Sequence, residues 1–267
     1  MISVAPVPTK MNIEDKPWPA LFVSDIHLST ALPKTVAYFL DFLKTQAPLA
    51  DRLYLLGDVF EYWAGDDDID HEDHREVIGA LKALHECGTQ VFWIAGNRDF
   101  LVGQEFAEVV GASLLADPFL LSLAGRNFIL SHGDALCTDD VDYMKFRTMV
   151  RQTQWQTQFL SQPLAQRKAI IASMRQQSYE QQKQKQMTIM DVNADAVTNL
   201  LAQFPDADLI HGHTHRHAIH QLQLVKRWVL PDWDYDSSSP HRGGYLKLKH
   251  DGDLEFCYIA DAVGIAS

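Results

Sequence analysis

The chain has 267 residues, 46% of them hydrophobic, and a formal net charge of −12. That length suits one α/β domain, or one domain with a cap, and the hydrophobic share supports a packed core rather than a disordered chain. The acidic balance argues against a general nucleic-acid binder, and no run of about 18 uninterrupted apolar residues is present to span a bilayer.

Residues 1–19, "MISVAPVPTKMNIEDKPWPA" up to its last proline, lack an apolar stretch of signal-peptide length and read as an N-terminal extension. The run "ALFVSDIH" then ends at Asp25 and His27, and "KTVAYFLDFLKT" has a helical pattern. "RLYLLGD" ends at Asp58. The charge run "GDDDIDHEDH" lacks the glycine and glutamate register of a calcium loop and is expected to be a solvated loop near the site rim. "HREVIGALKALHE" reads as a helix, "QVFWIAGN" as a run ending at Asn97, and "NFILSHGD" as one ending at His132 and Asp134. From Val141 to about Phe204 no strand is expected. This stretch reads as helix, a break near Pro163, helix again, and then the helix "DVNADAVTNLLAQF". "DLIHGHTH" closes on a histidine cluster, and "KRWVLPDWDY", "GGYLKLKH" and "LEFCYIA" are expected to form a terminal β meander that is sheet rather than site. Strands alternating with helices predict βαβ units and a largely buried sheet.

All five apolar runs stop at a residue able to ligate a metal. Any one of them is well explained as a turn former or cap. Five together are not, since ligands of open α/β sheets gather beyond the carboxyl ends of the strands. Asp25, His27, Asp58, Asn97, His132, His213 and His215 make a mixed nitrogen and oxygen set suited to Mn, Fe, Zn or similar ions. Two divalent ions about 3.5–4 Å apart need a bridging carboxylate, and Asp58 is its natural source. The two carboxylates leave such a pair positively charged, so phosphoryl-ester or anhydride hydrolysis fits better than peptide hydrolysis. Cys87, Cys137 and Cys257 form no C-x-x-C pair and are expected as reduced thiols in the cytoplasm.

The ordered blocks D-x-H, G-D, G-N-R-D, H-G-D and G-H-T-H, spanning about residues 20–220, resemble the calcineurin-like metallophosphoesterase superfamily. The resemblance implies a two-sheet α/β sandwich flanked by helices and a dinuclear site, with Mn²⁺ as the implied ion. Asp25, His27, Asp58 and His215 would hold one ion, and Asp58, Asn97, His132 and His213 the other. His211 would end its strand, with His217 and His220 on the next. The stretches "GDVFEYWAGDD", "AGNRDFLVG", "LSHGDALCTDD" and "IMDVN" are similar to the UDP-2,3-diacylglucosamine pyrophosphohydrolases of lipid A biosynthesis. By that likeness the reaction is attack on the α-phosphorus of UDP-2,3-diacylglucosamine, giving UMP and 2,3-diacylglucosamine 1-phosphate. Asp58, Asn97, Arg98 and His213 would be catalytic. Arg98 stands where the superfamily carries a histidine, and its guanidinium clamps phosphate without serving as a proton donor. Substrate contacts would come from Asn97, Arg98, His213, Asp140, Ser178, Gln182 and Lys185. His217 replaces a proline common in relatives, which predicts a looser turn.

A helical cap inserted at about 141–190 into the 20–267 domain is expected. Residues 144–186 carry eight Lys/Arg against one acid, a local +7. Trp155, Phe159, Leu160, Ile170, Ile171 and Met174 recur at helical spacing; such a stripe is either core or, with the basic excess, a face for an anionic membrane surface. The second reading places the protein on the cytoplasmic face of the inner membrane. Two rivals stay open: another metal-dependent phosphodiesterase or phosphatase, and a non-catalytic scaffold of the same fold.

Overall fold

The computed structural model describes residues 16–182 and 191–259. Two sheets pack face to face. The first runs in the order β11-β10-β1-β2-β3-β4, built from β1 (Ala20–Val23), β2 (Arg52–Leu55), β3 (Gln90–Ile94), β4 (Ala112–Leu115), β10 (Gly244–Leu248) and β11 (Leu254–Tyr258). The second runs β5-β6-β7-β9-β8, built from β5 (Phe119–Leu123), β6 (Arg126–Ser131), β7 (Ala207–His211), β8 (Ala218–Leu222) and β9 (Val225–Val229). Strands β1 to β4 are mutually parallel, as are β6, β7 and β9; antiparallel strands close the remaining edges.

Alternation along each strand explains the near-continuous apolar runs. Leu21 and Val23 of β1, with Leu53 and Leu55 of β2, face one core, which the helices α1 (Pro33–Thr45), α2 (Glu72–Glu86) and α3 (Gln104–Val110) cover. Phe22 and Tyr54 point the other way and stack at 5.1 Å in a second core between the sheets, with Phe128, Leu130, Ile210 and Trp228. Ile129 and Leu209 face a third core under α7 (Ala194–Leu201), against Val197 and Leu201. Both faces of the central strands are therefore buried, as a helix–sheet–sheet–helix stack requires.

Local signals set the helix ends. Pro33 opens α1 where its missing N–H is not needed. The Asn193 side chain accepts from Ala196 N at 3.0 Å to cap α7. Between β6 and α7 lie α4 (Val141–Val150), α5 (Thr153–Leu160) and α6 (Leu164–Gln182), so the chain there breaks at Arg151–Gln152 as well as before Pro163.

The expected terminal meander is corrected. Its first strand, β9, pairs parallel to β7 in the second sheet, and β10 and β11 form a hairpin in the first. The reason is β8: residues 218–222 turn back into β9 and place Trp228 in the core between the sheets. The extension also needs a correction at its end. Lys16 is 2% exposed and donates from Nζ to Ala50 O at 3.0 Å and to Thr89 Oγ1 at 2.7 Å, so residues 16–19 belong to the folded body.

Candidate metal centre

Each expected ligand lies one to four residues beyond the carboxyl end of a strand: Asp25 and His27 after β1, Asp58 after β2, Asn97 after β3, His132 after β6, and His213 and His215 after β7. The histidines of G-H-T-H are thus loop residues rather than one face of a strand. Asp25, His27, Asp58, His213 and His215 all have φ between 53° and 68°. That left-handed conformation costs an L-residue roughly 1–2 kcal/mol, and Asp and His tolerate it better than most. Among the described residues only Ala124 and Gln223, both in hairpin turns, share it outside glycine. Strain concentrated on one set of side chains marks a functional site.

Buried hydrogen bonds hold these turns. Ile26 N and His27 N both donate to Asp58 O, at 2.9 and 3.0 Å. The Asp99 carboxylate accepts from Asp58 N, Val59 N and Gly96 N at 3.3, 2.9 and 2.8 Å. Two glycines permit the approach. A Cβ on Gly57, at φ +86°, would lie 2.6 Å from Gly96 Cα and 2.7 Å from His132 Nδ1, and one on Gly96 would run into Asp58.

The ligand atoms fall into two groups, Asp25–His27–His215 and Asp58–His132–His213, with the atoms of each within 4.8 Å of one another. Asp58 Oδ2 stands 3.7 Å from His132 Nε2 and 4.0 Å from His27 Nε2, between the two groups. His213 N donates to both Asp25 oxygens, at 3.0 and 2.8 Å, which ties one group to the other. His132 Nδ1 lies 2.9 Å from Leu56 O, a carbonyl that can only accept, so Nδ1 carries a proton and Nε2 is the atom turned to the pocket. Nε2 faces Asn97 Oδ1 at 3.0 Å. His27 Nδ1 lies 3.0 Å from Glu61 Oε2 and His215 Nδ1 lies 3.5 Å from Asp232 Oδ2, while their Nε2 atoms meet at 3.2 Å. Carboxylate or carbonyl behind Nδ1 and Nε2 turned into the pocket is the arrangement of metal-ligating histidines. The residues fit two cations.

The field agrees. Burial alone would lower the His132 pKa, but the carboxylates of Asp58, Asp134 and Asp25 raise it to about 9. Burial and then the Asp58 charge push Asp99 up to about 6. Burial, followed by His132, brings His213 down to about 4, so that imidazole stays neutral. A pocket that would hold a buried imidazole protonated is one that takes up positive charge.

Arg98 lines this centre. Its N–H donates to Asp58 Oδ1 at 2.8 Å and its guanidinium lies 4.0 Å from Glu61. Asp140 instead caps α4, accepting from Tyr143 N at 3.1 Å. Ser178 and Gln182 belong to α6, and Lys185 lies outside the described residues. The basic excess faces inward more than expected. Arg147 bonds Asp134, Arg151 donates to Ala95 O and Gly96 O, Lys168 pairs with Asp68 at 2.8 Å and Arg175 pairs with Glu61 at 2.6 Å. Arg167 is 2% exposed and donates to Ala64 O, Asp67 and Gln162 O. The run "GDDDIDHEDH" is therefore no solvated loop: Asp67 and Asp68 clasp α6, and Asp66 accepts from Trp63 Nε1, Gly103 N and Phe106 N. Glu61 and Asp232 carry no metal-ligand spacing. Asp232 follows β9 as the ligands follow their strands, so recognising β9 as a parallel strand would have found it. His217 replaces proline with a bridge: its Nδ1 lies 3.0 Å from Val229 O and its Nε2 2.7 Å from Tyr258 Oη, so the turn is pinned, not loose.

Residues 19–217 match the model of the calcineurin-like phosphoesterase family. A UDP-2,3-diacylglucosamine hydrolase of Chromohalobacter salexigens is 45% identical over 91% of this chain and 99% of its own length. One of Aromatoleum aromaticum is 48% identical over 82% of this chain and 90% of its own. An archaeal phosphodiesterase of known structure is 11% identical, covering 90% of this chain and 99% of its own, with a TM-score of 0.46. With its match across three quarters of the sequence and the two ligand groups of its pocket, the chain belongs to the calcineurin-like phosphoesterase family.

Proposed function

We propose that the chain hydrolyses the pyrophosphate bond of UDP-2,3-diacylglucosamine, a step of lipid A biosynthesis, with attack at the α-phosphorus and release of UMP and 2,3-diacylglucosamine 1-phosphate. The observation that carries this is the convergence of ligand atoms in one pocket, His132 Nε2 3.0 Å from Asn97 Oδ1 and His27 Nε2 3.2 Å from His215 Nε2, with Arg98 beside them. The relatives' names supply the substrate. Asp25, His27, Asp58 and His215 would hold one divalent ion, and Asp58, Asn97, His132 and His213 the other; Mn²⁺ suits this oxygen and nitrogen set. Bound there, two ions supply Lewis-acid charge and acidify water near neutral pH. The chain's own residues do the rest. Arg98 presents a fixed, permanently charged fork to the pyrophosphate, and Asn97 and His213 orient it. The leaving group, 2,3-diacylglucosamine 1-phosphate, departs as a stable phosphate anion and needs no strong proton donor, which is consistent with arginine in that place.

Helices α4 to α6 and residues 183–190 would form the cap, with Asp140, Ser178, Gln182 and Lys185 contacting the headgroup. An apolar groove of about 240 Å³ between Trp155, Phe159, Ile170 and Met174 is suited to acyl chains. No described helix is long and apolar enough to cross a membrane. Val141, Met149 and Leu160 stand 57%, 43% and 40% exposed on α4 and α5, an apolar rim for peripheral contact with an anionic membrane surface. Liposome sedimentation tests that contact: binding unchanged after all three become Ser would refute it. For the reaction, phosphorus NMR after hydrolysis in ¹⁸O water is decisive. Label in UMP is expected; label in the lipid product places attack on the other phosphorus, and turnover only of other phosphate esters favours the phosphodiesterase rival.

A further inference from the structure

Glu61 sits three residues beyond the shared Asp58, outside the ligand set, and its two oxygens face opposite ways. Oε2 lies 3.0 Å from His27 Nδ1. Oε1 lies 2.6 Å from an Arg175 nitrogen on α6 and 4.0 Å from an Arg98 nitrogen. The backbone is fixed too, since Glu61 N donates to Leu28 O at 3.2 Å. The side chain is 19% exposed, so water screens these contacts little. Arg175 also lies over the Tyr62 ring at 5.7 Å, which limits where its guanidinium can go. The start of α6 is held by Arg167 and Lys168 against Asp67 and Asp68. One carboxylate thus joins a helix of the insertion to a metal-ligating imidazole.

We propose that Glu61 is a positioning residue: it sets the ring orientation of His27 and thereby the affinity of the Asp25–His27–His215 ion position, while Arg175 holds Glu61 in that pose. Two consequences follow from the distances. A carboxylate behind Nδ1 makes Nε2 a stronger ligand and fixes the ring against rotation. Arg175 occupies Oε1 at 2.6 Å, which leaves the Arg98 guanidinium at 4.0 Å and available to an anion rather than locked onto Glu61. Arg175 therefore affects both ion binding and anion binding without being a ligand to either.

The inference rests on the two-ion reading above, and its test separates the two. Mn²⁺ alone is titrated by calorimetry into chelator-treated wild type, Glu61→Ala, Glu61→Gln and Arg175→Ala, with circular dichroism confirming that each is folded. Wild type is expected to take two ions. Glu61→Ala should weaken one of the two by about 10–100-fold and leave the other near wild type. Glu61→Gln keeps an acceptor for Nδ1 without the charge and should lose less. Arg175→Ala should show a smaller loss of the same ion, and should raise KM more than it lowers kcat because Arg98 then swings onto Glu61. Two ions at wild-type affinity in folded Glu61→Ala and Glu61→Gln would overturn the proposal while leaving the two-ion reading intact. A wild-type chain that binds no Mn²⁺ would overturn both.

Discussion

At the scale of single residues, the ligands are placed by backbone conformations that most side chains avoid. Asp25, His27, Asp58, His213 and His215 each adopt the left-handed region, and buried carboxylates and N–H groups hold them there. Asp58 stands between the two groups, 3.7 Å from His132 Nε2 and 4.0 Å from His27 Nε2. Asp58→Asn keeps the size of the side chain and an oxygen for Arg98 N, but removes its negative charge. Bound metal is expected to fall from two ions per chain to at most one, read by elemental mass spectrometry. A thiol makes an independent residue-level check. Burial first, and then the nearby Asp134, Asp191 and Asp140 carboxylates, push Cys137 up to about 12. A raised thiol pKa means less thiolate at every pH below it, about one part in ten thousand at pH 8. Cys137 should stay unlabelled by iodoacetamide in the native protein at pH 8 and label quickly in urea. Rapid native labelling would contradict the burial.

At the scale of elements, the chain punctuates itself clearly where strands are buried and poorly where they are not. Runs such as "ALFVSDIH" and "NFILSHGD" are legible because β1 and β6 are covered on both faces. β4 and β5 show no such run: Ser113 and Leu114 are exposed, as are Leu120 and Ser122, so periodicity has little to report. The acidic run 66–73 was unreadable for another reason. Its partners Arg167 and Lys168 lie about a hundred residues away, and a clasp cannot be seen from one of its sides. Arg167→Met should loosen α6 without unfolding the body, since it removes the donors to Ala64 O, Gln162 O and Asp67 while keeping the apolar stem. Hydrogen exchange should then speed up in residues 164–176 and stay slow in β1, β2 and β7. Uniform acceleration across the sheets would show that the clasp supports the whole fold instead.

At the scale of the whole molecule, the candidate metal pocket is a seam between two sheets. Asp25, His27, Asp58 and Asn97 come from the first sheet, and His132, His213 and His215 from the second. Each ion would bridge the seam, because each ligand group contains residues from both sheets. Ions that bind only the folded form stabilise it by mass action, about 2.7 kcal/mol at a free concentration a hundred times Kd. Chelation is therefore expected to lower Tm, and Mn²⁺ should restore it in a saturable way with one cooperative transition. A Tm indifferent to Mn²⁺ would mean the seam is held by packing alone. The core between the sheets makes such packing substantial: Phe128 is fully buried there, and Phe128→Ala should cost about 3–5 kcal/mol in urea unfolding.

The sequence by itself determined the candidate ligand types, their order and the strands that carry them, since side-chain alternation and turn chemistry are local and leave their mark within ten residues. It also carried the likeness to the family. Only the tertiary structure decided which residues stand behind the ligands. Glu61 reaches His27 across 34 residues of chain and Asp232 reaches His215 across 17, contacts that depend on how strands pair rather than on any nearby spacing. It likewise decided that five arginines and lysines of the basic stretch face acids or carbonyls of the body. Charge can be counted from composition, but its direction is set by packing.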